Sequence, residues 1–146
     1  MLPISEVINT ASKLRKKEQK VQWLRDNNSV VLRNILILTY DQSHELYVGP
    51  GAPYQNNPAE NGGPMALYRA ARKLKYIVKG LAGDNIPQIK REMIMIEIME
   101  TVSAEDAKIL EQMLERKPFK GLTADTINEA FGPIIKTKGD KAKTDG

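Results

Sequence analysis

The sequence predicts an all-α protein: one irregular bundle of about six helices around a buried central helix, interrupted by one long loop rich in proline, glycine and asparagine. Three observations lead there. Apolar residues recur at helical spacing in segment after segment. Capping residues stand just before several of these segments, Ser29, Ser103 and Thr123 among them. One stretch, residues 86–102 (IPQIKREMIMIEIMETV), is apolar in nearly every direction of a helical wheel, as a helix buried on all sides is.

Composition narrows the class. A chain of 146 residues, 41% hydrophobic and 27% charged, fits a single globular domain with a real core. It has no cysteine and one histidine, His44, so thiolate metal sites, disulfides and multi-histidine metal sites are excluded. No apolar run is long enough to cross a bilayer. The start, MLPISEVINT, lacks the basic and apolar regions of a signal peptide, so the expected setting is cytosolic. The net charge of +4 is uneven: residues 1–91 carry 14 Lys+Arg against 7 Asp+Glu, residues 92–146 carry 8 against 11. The basic half can be steered towards an acidic partner.

The elements follow in order. Ser5 is the expected cap of a first helix carrying Ile4, Val7, Ile8, Ala11 and Leu14 at helical spacing. The basic cluster of Lys13, Arg15, Lys16, Lys17 and Lys20 either continues that helix or breaks it near Leu14 and opens a second, with Val21 and Leu24 inward. Asn27 and Asn28 suit a turn, and Ser29 caps a third helix, VVLRNILILTY. Residues 41–63 form the long loop, in which residues 45–48 make a short extended piece. From Pro64 the spacing predicts a continuous helix to Gly80 or Gly83. Leu67, Ala70, Ala71, Leu74, Ile77, Val78 and Leu81 lie on one face of it; Arg69, Arg72, Lys73, Lys75, Lys79, Tyr68 and Tyr76 lie on the other. The central helix follows.

Ser103 begins a capping-box-like SAED, in which Asp106 is expected to reach back and to lie outside with Glu105, Glu111 and Glu115. Pro118 is the expected stop of that helix. Thr123 caps a last helix ending at Gly132, and Ile134 and Ile135 dock back. Residues 1–135 therefore read as one helical domain, and residues 136–146 (KTKGDKAKTDG) as a disordered basic tail.

The blocks KVQWLRDNNSVVLRNIL, YVGPGAPY, LYRAARKLKYIVKG, IKREMIMIEIMETVSAEDAKIL and KGLTADTINEAFGPII follow one another in an order that resembles a family of small uncharacterised proteins of T-even-type tailed phages. The resemblance covers roughly residues 5–135. It implies a viral source and the host cytoplasm as the setting, and transfers no site. Members often have a proline pair before the tyrosine, where this chain has Ala52-Pro53-Tyr54.

Catalysis is poorly signalled. Asp41, His44 and Glu45 form the one close polar cluster in a loop, and DxxHE lacks the second histidine of a zinc helix. Glu92, Glu97 and Glu100 are not spaced as metal-binding carboxylates, and neither GPGAPY nor NGGP is a phosphate loop. No catalytic residue, metal or cofactor is expected.

Basic surfaces are better signalled. Arg69, Arg72, Lys73, Tyr76 and Lys79 span about three turns of the expected helix, enough for several backbone phosphates, with tyrosine able to stack on bases. Lys13, Arg15, Lys16, Lys17 and Lys20 add a second patch. A solvated helix face, or internal pairing with Glu105, Glu111 and Glu115, explains the same residues. The expectation is a non-enzymatic protein binding nucleic acid, or a nucleic-acid machine, through this basic face. The alternative is a protein–protein adaptor or inhibitor using the 46–64 loop, through Leu46, Tyr47, Val48, Pro53 and Tyr54. A virion component is a third reading.

Overall fold

A computed structural model describes residues 1–56 and 61–136. It is all-α. The helices are α1 (Ile4–Lys13), α2 (Lys17–Asp26), α3 (Val30–Tyr40), α4 (Ala66–Ala70), the 3₁₀ helix η1 (Ala71–Tyr76), α5 (Gln88–Thr101), α6 (Ala104–Leu114) and α7 (Ala124–Phe131). The one β feature among the described residues is an isolated antiparallel bridge, Leu46 to Val78, in the segment expected to be extended. The expected basic tail beyond Lys136 lies outside the described residues.

The caps explain where several helices start. Ser29, Ser103 and Thr123 accept hydrogen bonds from the backbone N–H groups of Leu32, Asp106 and Thr126, so each satisfies one of the donors a helix start leaves free. Ser5 does not act as a cap. It lies inside α1, which starts from Pro3, and its N–H donates to Oδ1 of Asp106 at 2.9 Å. Asp106 is thus fully buried rather than outside, and it does not reach back as a capping box would. Its carboxylate caps a different helix across the core.

The chain breaks at Leu14, whose backbone is extended, and α2 turns onto α7. Trp23 anchors that turn, its indole N–H donating to the Val7 carbonyl at 2.9 Å. Helix α3 packs on α6, and α1 lies against α2 and α6. The shared core holds Ile4, Ile8, Leu24, Leu32, Ile35, Leu36, Leu110, Met113 and Ile127. Ile135 docks back into it.

Helix α6 ends at Leu114, before Pro118, in a Schellman turn: Lys117 N–H donates to Gln112 O at 3.2 Å and Arg116 N–H to Met113 O at 3.0 Å. Arg116 takes the left-handed position usually given to glycine (φ 58°), and its guanidinium reaches the Asp41 and His44 carbonyls.

Two expectations fail here. Helix α5 is not buried on all sides: it buries Met95, Ile98 and Met99, while Ile89 and Met93 are 70% and 62% exposed. Its neighbours α4, η1 and α6 cover one side only. Second, residues 64–81 do not make one α-helix. After Ala70 the turns tighten to 3₁₀, and helix ends at Tyr76 because the loop claims the next residues. Tyr47 N–H donates to Ile77 O at 2.7 Å, and Lys79 N–H donates to Glu45 O at 2.9 Å. Gly83 then crosses so close to Tyr76 that a Cβ would overlap its carbonyl.

Candidate functional site

The 3₁₀ geometry rearranges the predicted basic face. With three residues per turn, side chains three apart eclipse, so Ala71, Leu74 and Ile77 fall in one row and Arg72 and Lys75 in another. Arg69, at the end of α4, continues the second row. Ala71 and Leu74 of the first row face α3. Between them lies a groove of about 430 Å³, with Val31, Ile37, Leu38, Leu74 and Val78 in its wall. Val30 and Leu81, 62% and 53% exposed, stand at its edge. Arg72, Lys75, Asn34 and His44 supply its polar lining, and among the described residues no acidic side chain lines it.

The predicted cations separate by partner. Lys73 pairs with Glu97 of α5 at 2.8 Å and Lys79 with Glu45 of the loop at 3.1 Å, so internal pairing is real but uses Glu97 and Glu45 instead of Glu105, Glu111 and Glu115. Arg69 and Arg72 have no ion pair among the described residues. Tyr76 is half-buried, with the Lys75 ammonium 5.3 Å over its ring. Tyr68, expected to face outward, is half-buried and donates its O–H to the Leu2 carbonyl.

In the second patch Lys17 pairs with Asp125 at 2.5 Å and Glu129 at 3.3 Å, and Lys20 donates to the Gly121 carbonyl. These two lysines fasten α2 to the start of α7. Gly121 permits it with φ 79° beside the Ser12 carbonyl, where a Cβ would overlap. Lys13 lines a shallow dip with Glu6, Asn9 and Glu105, and Arg15 and Lys16 are exposed in the α1–α2 link. No hydrogen bond or ion pair among the described residues joins this patch to the Arg69–Arg72–Lys75 row.

The loop residues are largely spent on the fold. Val48 is buried. Leu46 is half-buried and forms the bridge to Val78. Tyr47 lies under the Arg91 guanidinium, 3.6 Å from its ring centre, and its O–H donates to Asp84 at 2.6 Å. Tyr54 donates to Glu111, and burial first, then that bond, pushes its pKa up to about 12. Of the five, only Pro53 is exposed.

Asp41 is buried. Burial raises its pKa, but donors on Ser43 and the Lys136 N–H outweigh this and leave it lowered. That arrangement holds a loop corner in place. No group of three or more acidic or histidine side chains that could hold a metal occurs among the described residues, and no described helix is long and apolar enough to cross a membrane.

Sequence reasoning missed the α3 side of the groove. The signal was present: Val30, Asn34, Ile37 and Leu38 share a face through their spacing, and Asn34 marks that face as partly wet. The high apolar content of VVLRNILILTY, which suggests a helix buried throughout, masks that face.

No curated protein matches the chain. Residues 7–119 match the model of a family of unknown function, DUF6433, and since that spans most of the sequence, the chain belongs to this family.

Proposed function

We propose that this chain is a non-enzymatic accessory protein of a tailed phage, acting in the host cytoplasm, and that it binds an acidic amphipathic segment of a partner protein in the groove between α3 and η1. The resemblance in block order supports the phage setting. The binding reading is carried by one observation: an apolar concavity edged by Arg72 and Lys75, with no acidic residue among the described residues that line it. Apolar walls reward the buried face of a helix, and the cations favour carboxylates flanking it. The adaptor role thereby moves from the 46–64 loop, where Leu46, Tyr47, Val48 and Tyr54 are engaged internally, to the groove.

A second reading rests on the row Arg69, Arg72 and Lys75. A line of cations suits the backbone of a nucleic acid. The stacking contribution expected of Tyr76 is weakened, because Lys75 already lies over its ring.

One titration series separates the two. Fluorescence anisotropy is measured with helical peptides carrying apolar residues at i, i+4 and i+7, flanked by glutamate in one set and lysine in the other, and with single- and double-stranded oligonucleotides. The groove reading expects the glutamate-flanked peptides alone to bind, and Arg72→Glu with Lys75→Glu to weaken them by about tenfold or more. Equal binding of both peptide sets, or none, overturns it. Oligonucleotide binding whose salt slope falls by about one unit for each of Arg69→Ala, Arg72→Ala and Lys75→Ala puts the nucleic-acid reading first.

A further inference from the structure

Helix α5 carries an apolar stripe that the described residues leave largely uncovered. Ile89 is 70% exposed and Met93 62% exposed, and Ile96 at the stripe's other end is half-buried. Their spacing of four and three residues places them within about 60° of one another on the helix, along about 10 Å of its length. This is the pattern of a helix–helix seam. It faces away from Met95, Ile98 and Met99, which serve the core, and it is separate from the α3–η1 groove.

The charges beside the stripe select a partner. Lys90 and Glu97 lie on the same flank, within about 20° of each other on the wheel. A second α5 laid antiparallel across a two-fold axis keeps each flank on its own side and reverses its direction. With the axis passing Met93, Met93 meets its own copy, Ile89 meets Ile96 of the other chain, and Lys90 meets Glu97 of the other chain. The apolar register and the charge register coincide at one axis position. Symmetry makes each contact twice, as an isologous interface does.

From this coincidence we propose that the protein associates with a second copy of itself through an antiparallel α5–α5 contact centred on Met93. Glu97, which holds Lys73 of its own chain at 2.8 Å, then sits between two cations. Glu92, on the opposite flank, falls near its own copy and opposes the contact. The seam is short, so the dimer belongs at the small, concentration-dependent end of interface sizes.

Sedimentation velocity across a wide range of protein concentration tests this, with circular dichroism to confirm that each variant is folded. The wild type should shift from monomer to dimer as concentration rises. Met93→Asp should raise the dissociation constant by about tenfold or more, the size of a hot-spot loss. Lys90→Glu alone should also weaken the dimer, because it sets a second carboxylate against Glu97 at both symmetric contacts. The double exchange Lys90→Glu with Glu97→Lys should restore much of the association, and Glu92→Gln should strengthen it. A chain that stays monomeric throughout, a dimer indifferent to Met93→Asp, or a double exchange no better than Lys90→Glu alone overturns the proposal. None of these variants touches Arg72 or Lys75, so the outcome is independent of the groove reading.

Discussion

Helices α5 and α6 are neighbours in sequence and in space, and they use their apolar residues in opposite ways. Helix α6 (AEDAKILEQML) has one apolar stripe, yet it buries Asp106, Ala107, Ile109, Leu110, Met113 and Leu114. Helix α5 (QIKREMIMIEIMET) is apolar in almost every direction, yet of its 14 residues it buries Met95, Ile98 and Met99. The difference lies in what surrounds each. Helix α6 is met by α1, α3 and α5, whereas α5 meets α4, η1 and α6 along one side. Each helix has three such neighbours, so burial follows from how they are arranged around it, and apolar content alone does not report that arrangement.

The largest effect that tests this contrast is a pair of truncations. Leu110→Ala, at a fully buried site in α6, should lower stability by about 2–5 kcal/mol. Met93→Ala, on the open face of α5, should change the stability of the monomer by no more than about 0.5 kcal/mol. Thermal melts at a protein concentration low enough to keep the chain monomeric compare the two. Similar losses would mean that α5 is covered in solution and that the contrast does not hold.

A smaller effect concerns Asp106, the buried charge that α6 supplies and α5 lacks. Asp106→Ala leaves the Ser5 N–H without its acceptor and should cost about 1–3 kcal/mol. Asp106→Asn keeps the acceptor and removes the charge. Burial raises the Asp106 pKa above the ordinary 3.8, against the opposing pull of its bonds to Ser5. The folded state therefore holds this proton more tightly than the unfolded chain, and the Asp106 contribution to stability declines as pH rises from 3.8 through the folded pKa. The asparagine variant should lose that decline. Asp41 acts with the opposite sign: its lowered pKa contributes stability above 3.8 that is lost as pH falls through its folded value. Urea midpoints measured from about pH 3 to pH 7 for wild type and Asp106→Asn isolate the first effect, and parallel curves would contradict it.

The smallest effect is at the helix starts. Ser103→Ala removes the side-chain cap of α6 and should cost about 1 kcal/mol, whereas Ser103→Gly should cost only a few tenths. Helix α5 starts from Pro87 with no side-chain cap, so Pro87→Ala should show no loss of this kind. Urea titration of the three variants provides the check.

What could be read in the sequence was what depends on near neighbours along the chain. The caps at Ser29, Ser103 and Thr123 and the inward residues of α1 are local, and each lies where its spacing puts it; the break at Leu14 is one of the two courses the local sequence left open. What could not be read depended on residues far apart. The 3₁₀ tightening at Ala71–Tyr76 follows from a loop that pairs residues 45–47 with 77–79, and no window around Lys73 contains that loop. Asp106 reads as a surface acid until Ser5 is seen beside it. The candidate site was therefore half legible. Arg72 stood out as a cation on a helix face, but the groove it edges needed α3 brought across from the other side of the loop.

The bond from Ser5 to Asp106 also sets an order in time. It joins residues 101 apart in the chain, and Lys17 to Asp125 and Tyr40 to Leu122 close spans of similar length. A ribosome adding about 5–20 residues each second leaves α1 without its acceptor for roughly 5–20 s after Ser5 is made. Through that interval the apolar faces of α1, α2 and α3 wait for α6 and α7 to emerge. The last third of the chain acts as the clasp for the first, so a translation pause placed before Asp106 would lengthen the exposure of those faces.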